Sequence, residues 1–188
     1  GVEPMAVASV LGRIGTSQSV QPLSAMAELI ESFDISAFGR ATAKFDPQEL
    51  HQINARIVQQ FEFDEVKDRV QPLGIDDAAF WLAVRGNLAS LSDAKIWWDV
   101  CNSPIMPVIE DADLCQAAMS LLPADTITNE TWKLWTKAVA EQTGKKGRSL
   151  FMPLRLALTG QASGPEMAGL LPFLGRARIM ARLQGQEA

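Results

Sequence analysis

Apolar positions recur at three- and four-residue spacing along nearly the whole chain, and no segment of strict alternation interrupts them. That period marks amphipathic helices rather than strands. It predicts helices over 4–13, 24–33, 46–61, 64–70, 76–88, 92–100, 111–122, 129–142, 149–159, 164–174 and 175–184. Capping chemistry marks the starts. In "FDPQEL", Asp46 stands as N-cap, Pro47 as the first helical residue and Glu49 at the third position of a capping box. In "TNETWKLW", Asn129 takes the cap position, and Trp132 and Trp135 fall on one face. The stops are Gly144, Gly160, Gly175 and the prolines Pro72, Pro104, Pro107 and Pro123. Residues 33–46 read as an ordered connection. The expected fold is all-α, a small helical subdomain over 1–62 followed by a larger helical array over 63–188.

Length and composition agree with a globular protein. The 188 residues are 47% hydrophobic and 21% charged, enough chain to bury roughly 70% of its unfolded surface. No apolar run approaches the roughly 20 residues of a membrane span, and no secretory signal opens the sequence, so a cytoplasmic protein without membrane contact is expected. Cys101 and Cys115 read as reduced core fillers.

Charge is unevenly placed. The net charge is −5, yet residues 144–188 hold seven basic side chains (Lys145, Lys146, Arg148, Arg155, Arg176, Arg178, Arg182) against two acidic ones. Such segregation offers a local basic face to an anion, or simply solvated cationic helix ends. Both readings stay open on charge alone.

Chemistry for bond making is absent. There is no Gly-rich phosphate loop, GxSxG, CxxC pair or HExxH. With one histidine, His51 among polar neighbours, no His-based metal site or catalytic pair can be built. The carboxylates of "IEDADL" and "IDDAA" fall at helix starts, where they complement the helix dipole. No catalytic and no metal-ligating residue is assigned.

The stretch "LFMPLRLALTG", residues 150–160, sets a problem: a proline and one arginine inside an apolar helix. Leu150, Phe151, Leu154 and Leu158 form one apolar stripe, and Arg148, Met152, Arg155 and Thr159 a second. Arg155 is thus free to make an ion pair, point outward or enter a groove. Pro153 costs little if the helix starts within about three residues before it, and should kink a helix that starts earlier.

The run "GRSLFMPLRLALTGQASGPEMAGLLPFLG" is similar to the end of the anticodon-binding region of bacterial glutamyl-tRNA synthetases, which follow K-G-x-x-L-F-x-P-L-R-x-A-L-T-G, then G-P-x-L and an apolar L-G. "FDISAFGRATAKFDPQELHQINARIV" resembles the family's segment after its catalytic core, and "GVEPMAVASVLGRIGTS" also looks like family sequence. Neither the HIGH nor the KMSKS motif is present. The resemblance implies the C-terminal, tRNA-binding half of a class I glutamate–tRNA ligase, inactive alone, with ATP and Mg serving only the full-length enzyme. It implies a helical anticodon-binding cage over 63–188, a connecting subdomain over 1–62, and a monomer that binds tRNA and not DNA. By the same resemblance Arg155 contacts an anticodon base and Gly164, Pro165 and Met167 pack around the splayed anticodon. Gly164–Pro165 also reads as a plain helix start with Pro165 at its first position. Arg85, Lys145, Lys146 and Arg148 are candidate phosphate contacts. In "RGNLASLSDA", Asn87 takes the place of an arginine found in members that reject glutamine tRNA, which implies an enzyme that also charges glutamine tRNA. Competing readings are an all-helical protein-interaction module, whose binding would respond weakly to salt, and a class I lysyl-type synthetase, disfavoured by the P-L-R-x-A-L-T-G run. The β-barrel anticodon domains of glutaminyl synthetases do not suit a chain without strand patterns.

Overall fold

The computed structural model describes residues 1–188. Ten α-helices carry the fold, and the only β-type pairing is a single bridge between Thr16 and Phe38. The all-α expectation therefore holds. No helix is long and apolar enough to cross a membrane. The chain divides into two compact units, residues 1–76 with 85–94, and residues 77–84 with 95–188.

The first unit holds α1 (Pro4–Leu11), α2 (Met26–Glu31), α3 (Pro47–Val58) and α4 (Phe63–Val70). Ala6 and Val10 of α1 pack on Ile53 and Ile57 of α3, all buried. A buried amide ties this core to the loops: Asn54 accepts the Glu3 amide at 2.6 Å and donates to the Ala89 carbonyl at 2.6 Å. Glu3 in turn takes a two-nitrogen contact from Arg69 at 2.6 and 2.9 Å, the geometry that suits guanidinium to carboxylate. Asp46 caps α3 by accepting the Gln48 amide at 2.8 Å. Its box partner is missing, because Glu49 does not reach back to the Asp46 amide. The full box forms instead at α4, between Glu62 and Glu65. His51 is exposed.

The second unit contains α5 (Ala78–Val84), most of α6 (Asp93–Asn102), α7 (Ala112–Leu121), α8 (Asn129–Thr143), α9 (Arg148–Thr159) and α10 (Met167–Leu183). Asp77 starts α5 by accepting the Ala79 and Phe80 amides, and Asp111 starts α7 by accepting Leu114. The helix-start role read for these carboxylates is met. Lys145 pairs with Asp111 as well; that contact, with the Leu114 amide, holds the Asp111 carboxyl below its ordinary value. The cap of α8 is Thr128, one residue earlier than expected, and its box closes with Thr131. Trp135 is buried and donates its indole N–H to the Ala118 carbonyl at 2.9 Å. Phe80 meets Trp98 and Phe173 edge-on at 4.9 and 5.5 Å. Both cysteines are free and buried, and burial pushes the Cys101 thiol up to about 12 and Cys115 up to about 11. They are protonated at neutral pH and unreactive as nucleophiles.

The break expected between 174 and 175 lies inside α10. Gly175 stands at φ +70, ψ 157, so two helical segments meet there without sharing one helical path. Beyond it, Arg182 is wholly buried and donates to three backbone carbonyls: Leu158 at 2.6 Å, Ala188 at 2.8 Å and Ser103 at 3.2 Å. Burial, with Arg178 nearby, draws its guanidinium down to about 10, still charged at neutral pH. A buried carbonyl left without a donor costs about 1–3 kcal/mol. Arg182→Met should therefore lower the unfolding free energy by about 3 kcal/mol, read as a shifted midpoint in urea titration; an unchanged midpoint would mean these carbonyls find other donors.

Candidate functional site

The site is built on the second unit, where α8, α9 and the start of α10 meet. α9 begins at Arg148, five residues before Pro153, yet runs unbroken to Thr159. The proline, at the sixth helical position, removes the amide that would have met the Ser149 carbonyl and crowds that carbonyl with its ring. Leu150, Leu154 and Leu158 are buried as the apolar stripe requires, but Phe151 is 44% exposed. Phe151 lies four residues before Arg155, hence on the same helical face. The two share a wall of one cavity.

That cavity has a volume of about 300 Å³ and is lined by Trp132, Phe151, Arg155, Glu166, Met167 and Ala168. Trp132 is braced edge-on against buried Trp135 at 5.8 Å and lies 6.2 Å from Phe151, rings tilted by 40°. Arg155 is half-buried, and one guanidinium nitrogen, Nη2, donates to the Pro165 carbonyl at 2.8 Å. Its other terminal nitrogen, Nη1, is shielded from solvent and has no acceptor. Burial pulls the Arg155 guanidinium below its ordinary value, yet an arginine keeps its charge at neutral pH. A buried cationic donor without an acceptor is costly, so an acceptor oxygen or nitrogen that reached Nη1 beside the cavity would be favoured there.

The loop that holds Pro165 is set by close packing. A methyl group on Gly164 would overlap the Trp97 ring, and its φ of +150 also favours glycine. Thr159 closes the other end, donating to the Arg155 carbonyl at 2.7 Å and accepting the Gln161 amide at 3.1 Å. The helix after the loop starts at Met167 with Glu166 as cap, so Pro165 is not its first residue. Its carbonyl serves Arg155 instead.

Of the residues singled out by sequence, Arg155, Pro165 and Met167 come together here, and Gly164 shapes the loop without lining the cavity. Asn87 is exposed at the end of a 3-10 turn, Arg85–Asn87, in the first unit. Arg85 beside it is held internally, at 2.8 Å from both Glu62 and the Phe61 carbonyl. Lys145 is committed to Asp111, while Lys146 and Arg148 are exposed and unpaired. Most of the cationic C-terminal segment is turned onto protein acceptors. Arg155, Arg176, Arg178 and Arg182 all donate to backbone carbonyls, Arg176 to Leu122 and Pro123 and Arg178 to Cys101. Trp132, Phe151, Glu166 and Ala168 were not picked out as site residues. The four-residue spacing of Phe151 and Arg155 was a signal for the second of them.

Residues 110–186 match the family model described as "Anticodon binding domain". The chain is 45% identical over 189 residues to glutamate–tRNA ligase 1 of Maricaulis maris, covering 100% of this chain and 42% of that protein. It is 47% identical over 186 residues to glutamate–tRNA ligase 1 of Parvibaculum lavamentivorans, covering 98% of this chain and 41% of that one. The chain is a relative of the glutamate–tRNA ligases. It spans about two-fifths of their length. In fold it is similar to the crystal structure of a glutamate–tRNA synthetase from Elizabethkingia anophelis, with a TM-score of 0.76 at 18% identity over 98% of this chain and 40% of that one. A glutamate–tRNA ligase from Elizabethkingia meningosepticum gives 0.78 at 19% identity, over 98% of this chain and 41% of that one.

Gly164→Ala tests the loop. Overpacking against Trp97 should cost about 1–3 kcal/mol, measured by thermal unfolding; an unchanged melting temperature would show that the ring moves aside freely.

Proposed function

We propose that this chain recognises the tRNA anticodon as part of a glutamate–tRNA ligase, the ATP-dependent enzyme that joins glutamate to tRNA. The observation that carries the reading is the Arg155 guanidinium, fixed by one nitrogen to Pro165 and unmet at another, on the wall of an aromatic-lined cavity. Sequence-specific RNA recognition works on unstacked loop bases through this chemistry, hydrogen bonds to base edges and stacking on aromatic or guanidinium planes. Pro165 and Met167 position and line the pocket, and Gly164 keeps the loop close to Trp97. The proposed division is a connecting subdomain over 1–62 and an anticodon-binding domain over 63–188. ATP and Mg belong to the catalytic part of the whole ligase, which is cytoplasmic and monomeric in this reading. Lys146 and Arg148 are free to meet phosphates, whereas Lys145 and Arg85 would first have to leave Asp111 and Glu62.

Binding of this chain to the anticodon stem-loop of glutamate tRNA tests the reading. Loss of a positioned guanidinium contact is worth roughly 1–3 kcal/mol, by analogy with base readout in duplexes, so Arg155→Ala should weaken binding roughly 5- to 150-fold. Equal affinity for the two proteins would remove Arg155 from the recognition site.

Tolerance of glutamine tRNA is proposed to rest on Asn87, which is short, uncharged and able both to donate and to accept. Asn87→Arg should then raise the ratio of glutamate to glutamine stem-loop binding. An unchanged ratio would sink the idea.

A further inference from the structure

A second groove adjoins the Arg155 cavity. It has a volume of about 490 Å³ and runs between α8 and the start of α9. Its charged lining is wholly cationic: Lys133, Lys137 and Lys146. Lys133 and Lys146 are exposed, and their side-chain ammoniums have no ion-pair or hydrogen-bond partner. Lys137 faces Glu141 at 3.9 Å, both highly exposed, a spacing that binds weakly in water. Leu134, 64% exposed, lies among these lysines. Phe151 lines both the groove and the cavity, and Lys133 of the groove follows Trp132 of the cavity in sequence.

The charge here differs in kind from that of the arginines. Arg155, Arg176, Arg178 and Arg182 are turned onto backbone carbonyls, which leaves Lys133 and Lys146 of this groove among the unpaired cations of the second unit. A flexible ammonium on a four-carbon stem suits a phosphate as a point charge without demanding one orientation. An exposed aromatic edge beside it suits a base or ribose face, the combination found where single-stranded nucleic acid is gripped without sequence preference.

We propose that this groove holds the sugar–phosphate backbone of the anticodon-loop strand whose base enters the Arg155 cavity, with Lys133 and Lys146 on its phosphates and Phe151 as the ridge between backbone and base. The proposal rests on the reading of that cavity as a base site. It divides the labour: Arg155 reads, and the lysines hold.

Salt dependence separates the two roles. For single strands, log K falls with log salt at a slope of about 0.7 per neutralised phosphate. Binding of the glutamate anticodon stem-loop would be measured at four salt concentrations for the wild type, Lys133→Gln/Lys146→Gln, Lys133→Arg/Lys146→Arg and Arg155→Ala. The double glutamine variant should flatten the slope by about 1.4, the double arginine variant should restore it, and Arg155→Ala should weaken binding with the slope nearly kept. A stem-loop with its anticodon bases replaced should show the same flattening and no Arg155 effect. If the wild type binds with a steep slope that the glutamine variant leaves unchanged, the groove proposal is overturned while the base-site reading stands. If the wild type shows no salt-dependent binding at all, both fail together.

Discussion

The second unit depends on a buried charge. Placing a guanidinium out of water costs several kcal/mol unless it is hydrogen-bonded there, and each of the three Arg182 nitrogens donates to a carbonyl, from three places: the end of α9, the segment after α6 and residue 188. A planar fork spreads its donors over three nitrogens and so reaches acceptors that lie apart from one another. A lysine's donors all radiate from a single nitrogen. The consequence extends to the site, because the Leu158 carbonyl belongs to the same helix that carries Phe151 and Arg155. Where Arg182 pins the end of α9, it sets the lie of the cavity wall.

The same economy explains how an acidic chain can address an anion. Four of the seven cations after Gly144 are turned onto carbonyls and a fifth onto Asp111, so the C-terminal segment contributes less outward charge than its composition suggests. Outward charge comes from fewer side chains, gathered beside a cavity rather than spread along a helix. Local field at a concave, low-dielectric wall matters more than the total. Arg155 stands between the classes, half structural and half unmet.

Legibility followed the range of each interaction. Helix starts and stops were readable because their causes are local: Asp46 on Gln48, Asp77 on Phe80, a glycine at 144, 160 and 175. Errors there were small and had reasons, as when Thr128 rather than Asn129 closed a box with Thr131, or when Pro165 gave its carbonyl to Arg155 and the helix waited until Met167. The fate of the arginines was not readable, since Arg176, Arg178 and Arg182 find acceptors more than fifty residues away in the chain. No spacing rule reports such a partner. Phe151 was placed in the core by periodicity and stands at the surface instead, because the face it shares with Arg155 borders a cavity. The place of Arg155 was carried by resemblance, and its partner, ten residues on, by the structure alone.

Gly175 gives α10 a property that a straight helix lacks. Residues along an α-helix advance by a fixed angle, 3.6 to the turn, so one end dictates the azimuth of the other. At Gly175 that phase is reset. The first segment can aim Met167 and Ala168 at the cavity while the second aims Arg176, Arg178 and Arg182 at carbonyls, each with its own angular origin. Reading and anchoring are thereby uncoupled within one element.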